Sequence, residues 1–213
     1  MTPEGSGTTS TERNRMVARQ LRRRGIDDER VLAAMAAVPR ELFLPPDQRR
    51  RAYRDGAVRI GEGQTMSQPW IVACMAQLLE LDGSETVLEV GAGSGYAAAV
   101  LSLLARDVIT IERYESLARK AEETLDQLGY RNVEVRVGDG SLGAPDRAPF
   151  GGISVTATAR DEPPPALLEQ LEPGATLVCP VERGGREHLI CFRDGEEQVV
   201  TGVRFVPLVT GEA

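Results

Sequence analysis

Histidine, cysteine and aromatic residues are scarce in this chain of 213 residues. The single histidine, His188, excludes most histidine-based triads and histidine-rich metal sites, and its context (HLICFR) predicts a strand residue. The cysteines are odd in number and lie in apolar stretches, which favours buried free thiols in a reducing compartment over a disulfide framework or metal site. They are Cys74, Cys179 and Cys191. We therefore expect no metal.

Long hydrophobic runs and basic tracts are also missing. No apolar stretch has the length of a transmembrane helix, and the N-terminus lacks the basic and apolar regions of a signal peptide. The formal net charge is −7, which disfavours binding to a phosphate backbone. The one basic cluster, Arg49 to Arg51 with Arg54, is interpreted as a solvated helix face. These absences predict a cytoplasmic protein that binds neither nucleic acid nor membrane, and we expect a monomer.

The length is sufficient for one α/β domain with a full core. Residues 1–11 are rich in Gly, Ser and Thr and are predicted to be disordered. Residues 12–213 are expected to form a single domain, with helices and a polar loop over residues 12–80 and a sheet over residues 81–213.

Two helices are predicted before the polar loop. Apolar residues recur at helical spacing from Glu12 to Arg24, and Gly25 is expected to end that helix. Asp27 or Asp28 can cap a second helix, which Pro39 stops.

The polar loop begins the stretch Arg59 to Met75, which has the sequence RIGEGQTMSQPWIVACM. An amphipathic helix is predicted from Pro69 onward. Ser67 precedes this proline by two places, so it could serve as the helix cap. Capping would explain the presence of Ser67 without a catalytic role.

A strand, a glycine-rich turn and a helix follow one another in the middle of the chain. Thr86 to Val90 is a short apolar run that predicts a buried strand, and Ala97 to Ala105 predicts a helix. This order opens a nucleotide-binding βαβ unit. Tyr96 occupies the place where a dinucleotide fingerprint has its third glycine, which disfavours a pyrophosphate ligand. The glycines of the turn are Gly91, Gly93 and Gly95.

The second strand of the unit, Val108 to Ile111, ends at Glu112. This acid lies about twenty residues after Gly91, where the ribose-binding acid of this topology belongs. A solvated strand-end glutamate is the alternative. The sequence separation from the glycines favours a ligand-binding role for Glu112.

The remaining pattern alternates strands with helices and then ends in strands. The predicted fold is α/β, with a doubly wound, mainly parallel sheet of seven strands, helices on both faces and a C-terminal antiparallel hairpin around Asp194-Gly195. Ligands of such sheets bind at the carboxyl ends of the strands. The further elements are a helix from Tyr114 to Leu128, strands over Val133–Val137, Ile153–Thr156, Thr176–Val181, His188–Phe192 and Val199–Val206, and a short helix over Pro163–Leu171.

Several stretches resemble known families. The GxGxG turn after the acidic strand residue Glu89 resembles motif I of the class I S-adenosylmethionine-dependent methyltransferases. The segment GQT-x-SQP is more specific, and with it the chain resembles the protein-L-isoaspartate O-methyltransferases from about Val17 to its C-terminus. The stretches that carry this resemblance are Arg24–Pro46, Ile60–Met75, Val87–Ser102, Thr110–Arg113, Gly138–Gly143, Ala148–Phe150, Val155–Ala157 and Val203–Gly211.

The resemblance implies a Rossmann-like class I fold, S-adenosylmethionine as cofactor and S-adenosylhomocysteine as its product. Ser67 matches the family's active-site serine. Glu112 would hold the ribose, and the three glycines would pass under the methionyl part. The cofactor residues implied are Glu89, Gly91, Ala92, Gly93, Ser94, Gly95, Glu112, Arg113, Asp139, Gly140, Gln64, Thr65 and Met66. The substrate residues implied are Thr65, Met66, Ser67, Gln68, Val206, Pro207 and Leu208.

The implied activity is methylation of the free α-carboxylate of L-isoaspartyl residues in proteins and peptides, which starts repair through a succinimide. Such an acceptor is already ionised at neutral pH, so the reaction requires alignment and removal of water rather than a strong base. Two alternatives stay open: methylation of a normal aspartate in a dedicated precursor peptide, and cofactor binding without catalysis in a partner subunit. A dehydrogenase is disfavoured by Tyr96 and by the polar loop. The chain departs from the family's pattern at Ser141, Gly151, Gly152 and Glu182.

Overall fold

The computed structural model describes residues 6–211. The α-helices are α1 Ser6–Met16, α2 Glu29–Ala37, α3 Pro69–Leu78, α4 Tyr96–Leu101, α5 Glu115–Leu128 and α6 Pro165–Leu168. The strands are β1 Val58–Gly61, β2 Gln64–Met66, β3 Thr86–Val90, β4 Asp107–Glu112, β5 Val133–Val137, β6 Phe150–Val155, β7 Ala159–Arg160, β8 Leu171–Arg183, β9 Arg186–Arg193 and β10 Glu196–Gly202.

The N-terminal helix begins at Ser6 rather than at Glu12. Residues 1–5 of the predicted disordered tail lie outside the described residues. Positions 6–11 belong to a helix that continues without interruption into the segment that buries Met16 and Leu21, and the disorder of the tail stays a prediction. The helical path passes through a π turn and a 3₁₀ turn and ends at Gly25 with a φ of +87°, as predicted.

Helix α2 confirms the predicted cap. The Asp28 side chain accepts hydrogen bonds from the backbone N–H groups of Arg30 and Val31, and the helix ends before Pro39. Its apolar face, which includes Val31 and Met35, is buried. None of the helices within residues 6–211 is long and apolar enough to cross a membrane.

The central sheet has the strand order β10-β9-β8-β6-β3-β4-β5, with the short strand β7 beside β8. The pairs among β3, β4, β5, β6 and β8 are parallel, and β8, β9 and β10 are antiparallel. The predicted mainly parallel sheet and C-terminal hairpin are therefore confirmed. His188 lies within β9, as predicted.

The strands bury alternate residues in two clusters. Val87 belongs to one cluster, into which α2, α3 and α4 also pack, and its neighbour Leu88 belongs to the other, which α6 covers through Leu167. The continuous burial of β3 and β4 explains why both strands are apolar runs in the sequence.

The polar loop forms a short antiparallel hairpin, which the sequence did not predict. Strands β1 and β2 pair Val58 with Met66, and α3 begins at Pro69. The N-cap of α3 is Gln68, without a side-chain capping bond, so the interpretation of Ser67 as a helix cap is wrong. Proline at the first helical position lacks an N–H group, so the helix has one donor fewer to satisfy.

The last strand is shorter than predicted and ends at Gly202 instead of Val206. The backbone after it leaves β9 and returns to the end of β6. Thr158 N–H donates to the Val206 carbonyl at 2.8 Å, and Leu208 N–H donates to the Thr158 carbonyl at 2.8 Å. The C-terminal segment therefore lies across the carboxyl ends of the parallel strands.

Candidate active site

The site lies where the chain changes direction across the sheet. Strand β3 pairs with β4 on one side and with β6 on the other, so the segments that follow these three strands diverge above the same sheet edge. A crevice at such a switch point is the usual ligand site of an open α/β sheet. The residues that follow the three strands here are Gly91, Arg113 and Thr156.

The first two glycines of the turn are required for different contacts. Gly91 has a φ of +98°, and a Cβ atom at this position would lie 2.4 Å from Thr156 Oγ1. That hydroxyl donates to the Val90 and Gly91 carbonyls at 2.9 and 2.8 Å. Gly93 has a φ of +54°, and its N–H donates to Glu112 Oε2 at 2.8 Å. Both glycines line cavities, and the backbone there is exposed to a ligand.

The third glycine of the turn serves packing. Gly95 is the N-cap of α4 with a φ of +84°, and a Cβ there would lie 3.2 Å from Ala121 and Leu125 of α5. It is buried and is absent from the walls of the cavities described below. Its implied contact with the cofactor therefore stays a prediction.

Glu112 is buried and fixed by backbone donors. Its Oε2 atom accepts from Gly93 N–H at 2.8 Å, and its Oε1 atom accepts from Tyr114 N–H at 3.0 Å. Each carboxylate oxygen has two lone-pair directions, so one remains on each oxygen for a further donor. The carboxylate lines a cavity and is suited to a ligand with two neighbouring hydroxyl groups.

Glu89 lies beneath the turn instead of in a cavity wall. Its side chain is fully buried, Oε2 accepts from the Thr110 hydroxyl, and Oε1 has no hydrogen-bond partner among the described residues. Burial raises the pKa of Glu89 to about 8, the Thr110 bond opposes the shift, and the negative charge of Glu112 adds to it. Glu89 is therefore largely protonated at neutral pH.

Three neighbouring spaces meet at this edge of the sheet. We name them the inner cavity, about 580 Å³, the outer cavity, about 640 Å³, and the surface groove, about 1210 Å³. Thr65 and Thr156 line all three spaces, so the cavities and the groove adjoin one another.

The predicted residues divide among these spaces. The predicted residues that line the inner cavity are Thr65, Met66, Ser67, Gly91, Ala92, Gly93 and Ser94. The outer cavity contains Gln64, Thr65, Gly91, Gly93, Glu112, Arg113, Gly140, Val206, Pro207 and Leu208. The surface groove contains Thr65, Ser67, Gln68 and Val206.

Ser67 stands between the inner cavity and the surface groove, and its side chain is half-buried. Its carbonyl accepts a hydrogen bond of 2.6 Å from Nη2 of Arg40. Arg40 is fully buried, donates through Nε to the Ala52 carbonyl at 2.7 Å, and stacks its guanidinium 4.6 Å from the ring centre of Tyr96. Burial lowers the pKa of Arg40, while Tyr96 opposes that shift. This arginine therefore joins the serine loop to the helix that follows the glycine turn.

The C-terminal segment covers the outer cavity and is held by two side chains. Arg113 Nη1 donates to the Gly211 carbonyl at 2.9 Å, and Asp139 Oδ2 accepts from Gly211 N–H at 2.6 Å. Burial works against ionisation of Asp139, but hydrogen bonds from Ser141 and Gly211 and the charge of Arg113 lower its pKa overall. Asp139 itself is not in the cavity wall, whereas Gly140 is.

Sequence reasoning assigned no role to two residues of this site. Thr156 follows β6 at the ligand-binding edge, and its place after an apolar strand would have identified it. Arg40 gave no comparable signal, because an arginine after a helix is normally solvated and its burial depends on contacts with distant segments.

Comparison with known proteins agrees with this geometry. The family model for protein-L-isoaspartate(D-aspartate) O-methyltransferase matches residues 11–213. A relative from Synechococcus sp. named protein-L-isoaspartate O-methyltransferase is 49% identical, and the match covers 97% of this chain and 89% of the relative.

Two solved structures are also similar. One, a protein-L-isoaspartate O-methyltransferase, has a TM-score of 0.81 and 29% identity, and the match covers 93% of this chain and 66% of that chain. The other is a protein of that name from Plasmodium falciparum in complex with S-adenosyl-L-homocysteine. It has a TM-score of 0.78 and 25% identity, and the match covers 92% of this chain and 98% of that chain. The chain therefore belongs to the protein-L-isoaspartate(D-aspartate) O-methyltransferase family.

Proposed function

We propose that this protein transfers a methyl group from S-adenosylmethionine to the free α-carboxylate of L-isoaspartyl residues in proteins and peptides. The observation that carries the proposal is the position of Ser67. Ser67 lines both a cavity bordered by the glycine turn and an open groove that can admit a polypeptide. The family's relatives at about half identity support the same reaction.

The residues present fit the cofactor. The Glu112 carboxylate retains one free lone-pair direction on each oxygen, which suits the two ribose hydroxyls. Gly91 and Gly93 expose backbone without side chains to the inner and outer cavities, so a ligand can approach closely. When bound, S-adenosylmethionine supplies an activated methyl group on a sulfonium sulfur.

The acceptor side requires positioning. An isoaspartyl carboxylate is ionised at neutral pH and needs no base to become a nucleophile. The Ser67 hydroxyl can donate a hydrogen bond to one carboxylate oxygen while the other faces the inner cavity. Arg40 holds the Ser67 backbone in place through its carbonyl. Loss of water around the acceptor oxygen increases its reactivity.

The methyl ester that forms is an activated carbonyl within the chain of the substrate. Attack by the following backbone nitrogen releases methanol and gives a succinimide, which hydrolyses partly to normal aspartate. The protein's part in repair is therefore the methylation step alone.

Location and assembly belong to the same proposal. A reducing compartment such as the cytoplasm suits the three free cysteines, of which Cys74 and Cys179 are buried. Burial raises the pKa of Cys74 to about 11 and that of Cys179 to about 12, so both thiols are unreactive at neutral pH. A monomer without nucleic-acid or membrane partners stays a prediction.

Two synthetic peptides that differ only in one isoaspartyl or aspartyl linkage test the reaction. We expect methyl ester formation and methanol release with the isoaspartyl peptide alone, and inhibition by added S-adenosylhomocysteine. Turnover confined to the aspartyl peptide would reject repair in favour of modification of normal aspartate. Cofactor binding without turnover of either peptide would reject catalysis on these acceptors.

A further inference from the structure

Charge is divided unevenly along this acidic chain. Residues 12–59 contain 13 arginines and seven acidic residues, whereas residues 60–213 contain 12 basic and 24 acidic residues. The net charge of −7 therefore conceals a cationic N-terminal region.

The fold brings two arginine clusters of this region to one side of the molecule. The 3₁₀ turns Arg22–Arg24 and Arg49–Arg51 are exposed, and Arg54 follows the second turn. Gln20 Nε2 donates to the Tyr53 carbonyl at 2.8 Å, and Arg24 Nη1 lies 3.2 Å from Asp55 Oδ1. These two contacts join the segments that carry the clusters.

The segments that carry the two clusters border the surface groove. Arg24, Gly56 and Arg204 line the groove together with Ser67 and Trp70. Arg23 directly precedes Arg24, Arg54 precedes Gly56 by two places, and both arginines are exposed. We name Arg23, Arg24, Arg54 and Arg204 the arginine face.

Two acidic residues near the arginine face, Glu187 and Asp55, have hydrogen-bond or ion-pair partners. Glu187, the acidic residue in the groove lining, accepts at Oε2 from the Thr158 hydroxyl and from Phe205 N–H, both at 2.8 Å. Asp55 contacts Arg24 and the Gln68 amide. Among residues 6–211, Arg23 and Arg54 have neither an ion pair nor a side-chain hydrogen bond.

Arginine side chains without an ion-pair partner beside a substrate groove have two electrostatic effects. They repel one another, and they attract anions over about a Debye length, about 8 Å at physiological salt. Arginine also binds carboxylates with two parallel hydrogen bonds. A polypeptide in the groove places its flanking residues within reach of this field.

We propose that the arginine face selects substrates in which acidic residues flank the isoaspartyl site. The inference rests on the proposed function and adds a preference among its substrates. Acidic flanks increase the association rate and lower KM, whereas kcat stays the same because the reacting atoms are unaffected. The effect weakens as salt screens the charges.

Three isoaspartyl peptides of equal length test this, with the modified residue flanked by Glu, Gln or Lys. For the wild-type protein at low salt we expect kcat/KM with the Glu flanks to exceed that with the Gln flanks about tenfold, with kcat within about twofold. The Lys flanks should be poorest. At about 0.5 M salt the three values should converge.

The variant carrying Arg23→Gln, Arg54→Gln and Arg204→Gln removes three charges and keeps Arg24, which packs 4.5 Å from the Trp70 ring centre. We expect its preference for Glu flanks to fall to about twofold. The matched control is Arg131→Gln, because Arg131 is exposed and precedes β5, at the opposite end of the strands from the site. The control should keep the full preference.

Several outcomes would overturn the inference. Equal kcat/KM for the Glu- and Gln-flanked peptides would remove the preference while leaving the proposed function intact. An undiminished preference in the triple variant would remove the arginine face as its cause. Tight, arginine-dependent binding of a single-stranded oligonucleotide without any peptide preference would assign the face to nucleic acid. Failure to methylate any of the three peptides would overturn the proposed function together with the inference.

Discussion

The proposed cofactor side and the proposed acceptor side of this site are constructed in different ways. The cofactor cavities lie above consecutive, parallel strand ends, where Gly93 and Glu112 are joined by a direct hydrogen bond. The acceptor side combines the hairpin that leads to Ser67, the Arg40 segment and the C-terminal segment. A local, repeating architecture therefore forms one side, and long-range contacts form the other.

A buried ionisable group lies beneath each side and shows the same contrast. Glu89 lies under the glycine turn and can lose its charge, because burial raises the pKa of its carboxyl to about 8. Arg40 lies under the Ser67 loop and remains charged, since its partners are backbone carbonyls and an aromatic ring. We therefore expect substitutions on the proposed cofactor side to change cofactor affinity, and substitutions on the proposed acceptor side to change kcat.

The largest effect is expected for Gly91→Ala. The new Cβ would lie 2.4 Å from Thr156 Oγ1 at a φ of +98°, so the turn must move. We expect cofactor affinity, measured by calorimetry, to fall about 100-fold or more, equivalent to about 2.7 kcal/mol.

Gly129→Ala is the matched control for this change. Its φ is +84°, and nothing lies within 4 Å of the new Cβ, so it shares the backbone strain without the steric contact. We expect a lower Tm with cofactor affinity unchanged. Equal losses of affinity in both variants would contradict the steric account of the turn.

Arg40→Met tests the acceptor side. The change leaves the Ser67 and Ala52 carbonyls without their donor, and a small displacement of reacting groups can cost about 100-fold in rate. We expect kcat to fall about 100-fold and the Kd of the cofactor to change less than about threefold. Arg40→Lys keeps the charge but lacks the guanidinium fork. We expect its kcat to lie between those of the wild-type protein and Arg40→Met.

Arg30→Met is the control for the loss of an arginine that binds two carbonyls. Arg30 donates to Leu81 and Leu104, which lie outside the cavity walls. We expect reduced stability and an unchanged kcat in the folded protein. An unchanged kcat in Arg40→Met, or a parallel loss of cofactor affinity, would remove Arg40 as a positioning residue.

The residues proposed for the cofactor side follow a local sequence pattern. Gly91 and Glu112 follow apolar strands at the spacing that this topology imposes, so a local pattern located them. The third glycine, Gly95, has the same sequence signal, yet it is required for the close approach of α5. Sequence spacing does not distinguish contact with a ligand from contact with a helix.

The proposed acceptor side rests on the family resemblance rather than on a local sequence pattern. Ser67 had a competing interpretation as a helix cap, which only the geometry of α3 excludes. The hairpin that precedes it was missed because β1 and β2 are only four and three residues long. The role of Arg40 depends on two segments distant in sequence, and no local pattern carries that information.

Glu89→Gln tests whether the buried Glu89 carboxyl holds a proton in the folded state. Because the pKa of Glu89 is raised from 4.5 to about 8, the folded state keeps a proton that the unfolded chain releases. The stability from this group is present below pH 4.5 and is lost as pH rises toward 8, by about 1.4 kcal/mol per pH unit.

The glutamine variant remains neutral and lacks this loss. We expect wild-type protein to lose free energy of unfolding relative to Glu89→Gln between pH 5 and pH 8, as measured by urea unfolding. A difference between the two proteins that is the same at both pH values would show that Glu89 does not hold a proton in the fold.

The most direct test measures cofactor Kd and kcat with an isoaspartyl peptide in the same samples of Ser67→Ala and Glu112→Gln. Ser67→Ala removes the hydroxyl at the groove, and Glu112→Gln weakens the acceptor for the ribose. We expect Ser67→Ala to lower kcat about tenfold at unchanged Kd, and Glu112→Gln to raise Kd about tenfold with a smaller change in kcat. Equal proportional losses of both quantities in both variants would contradict the division of the site into two sides.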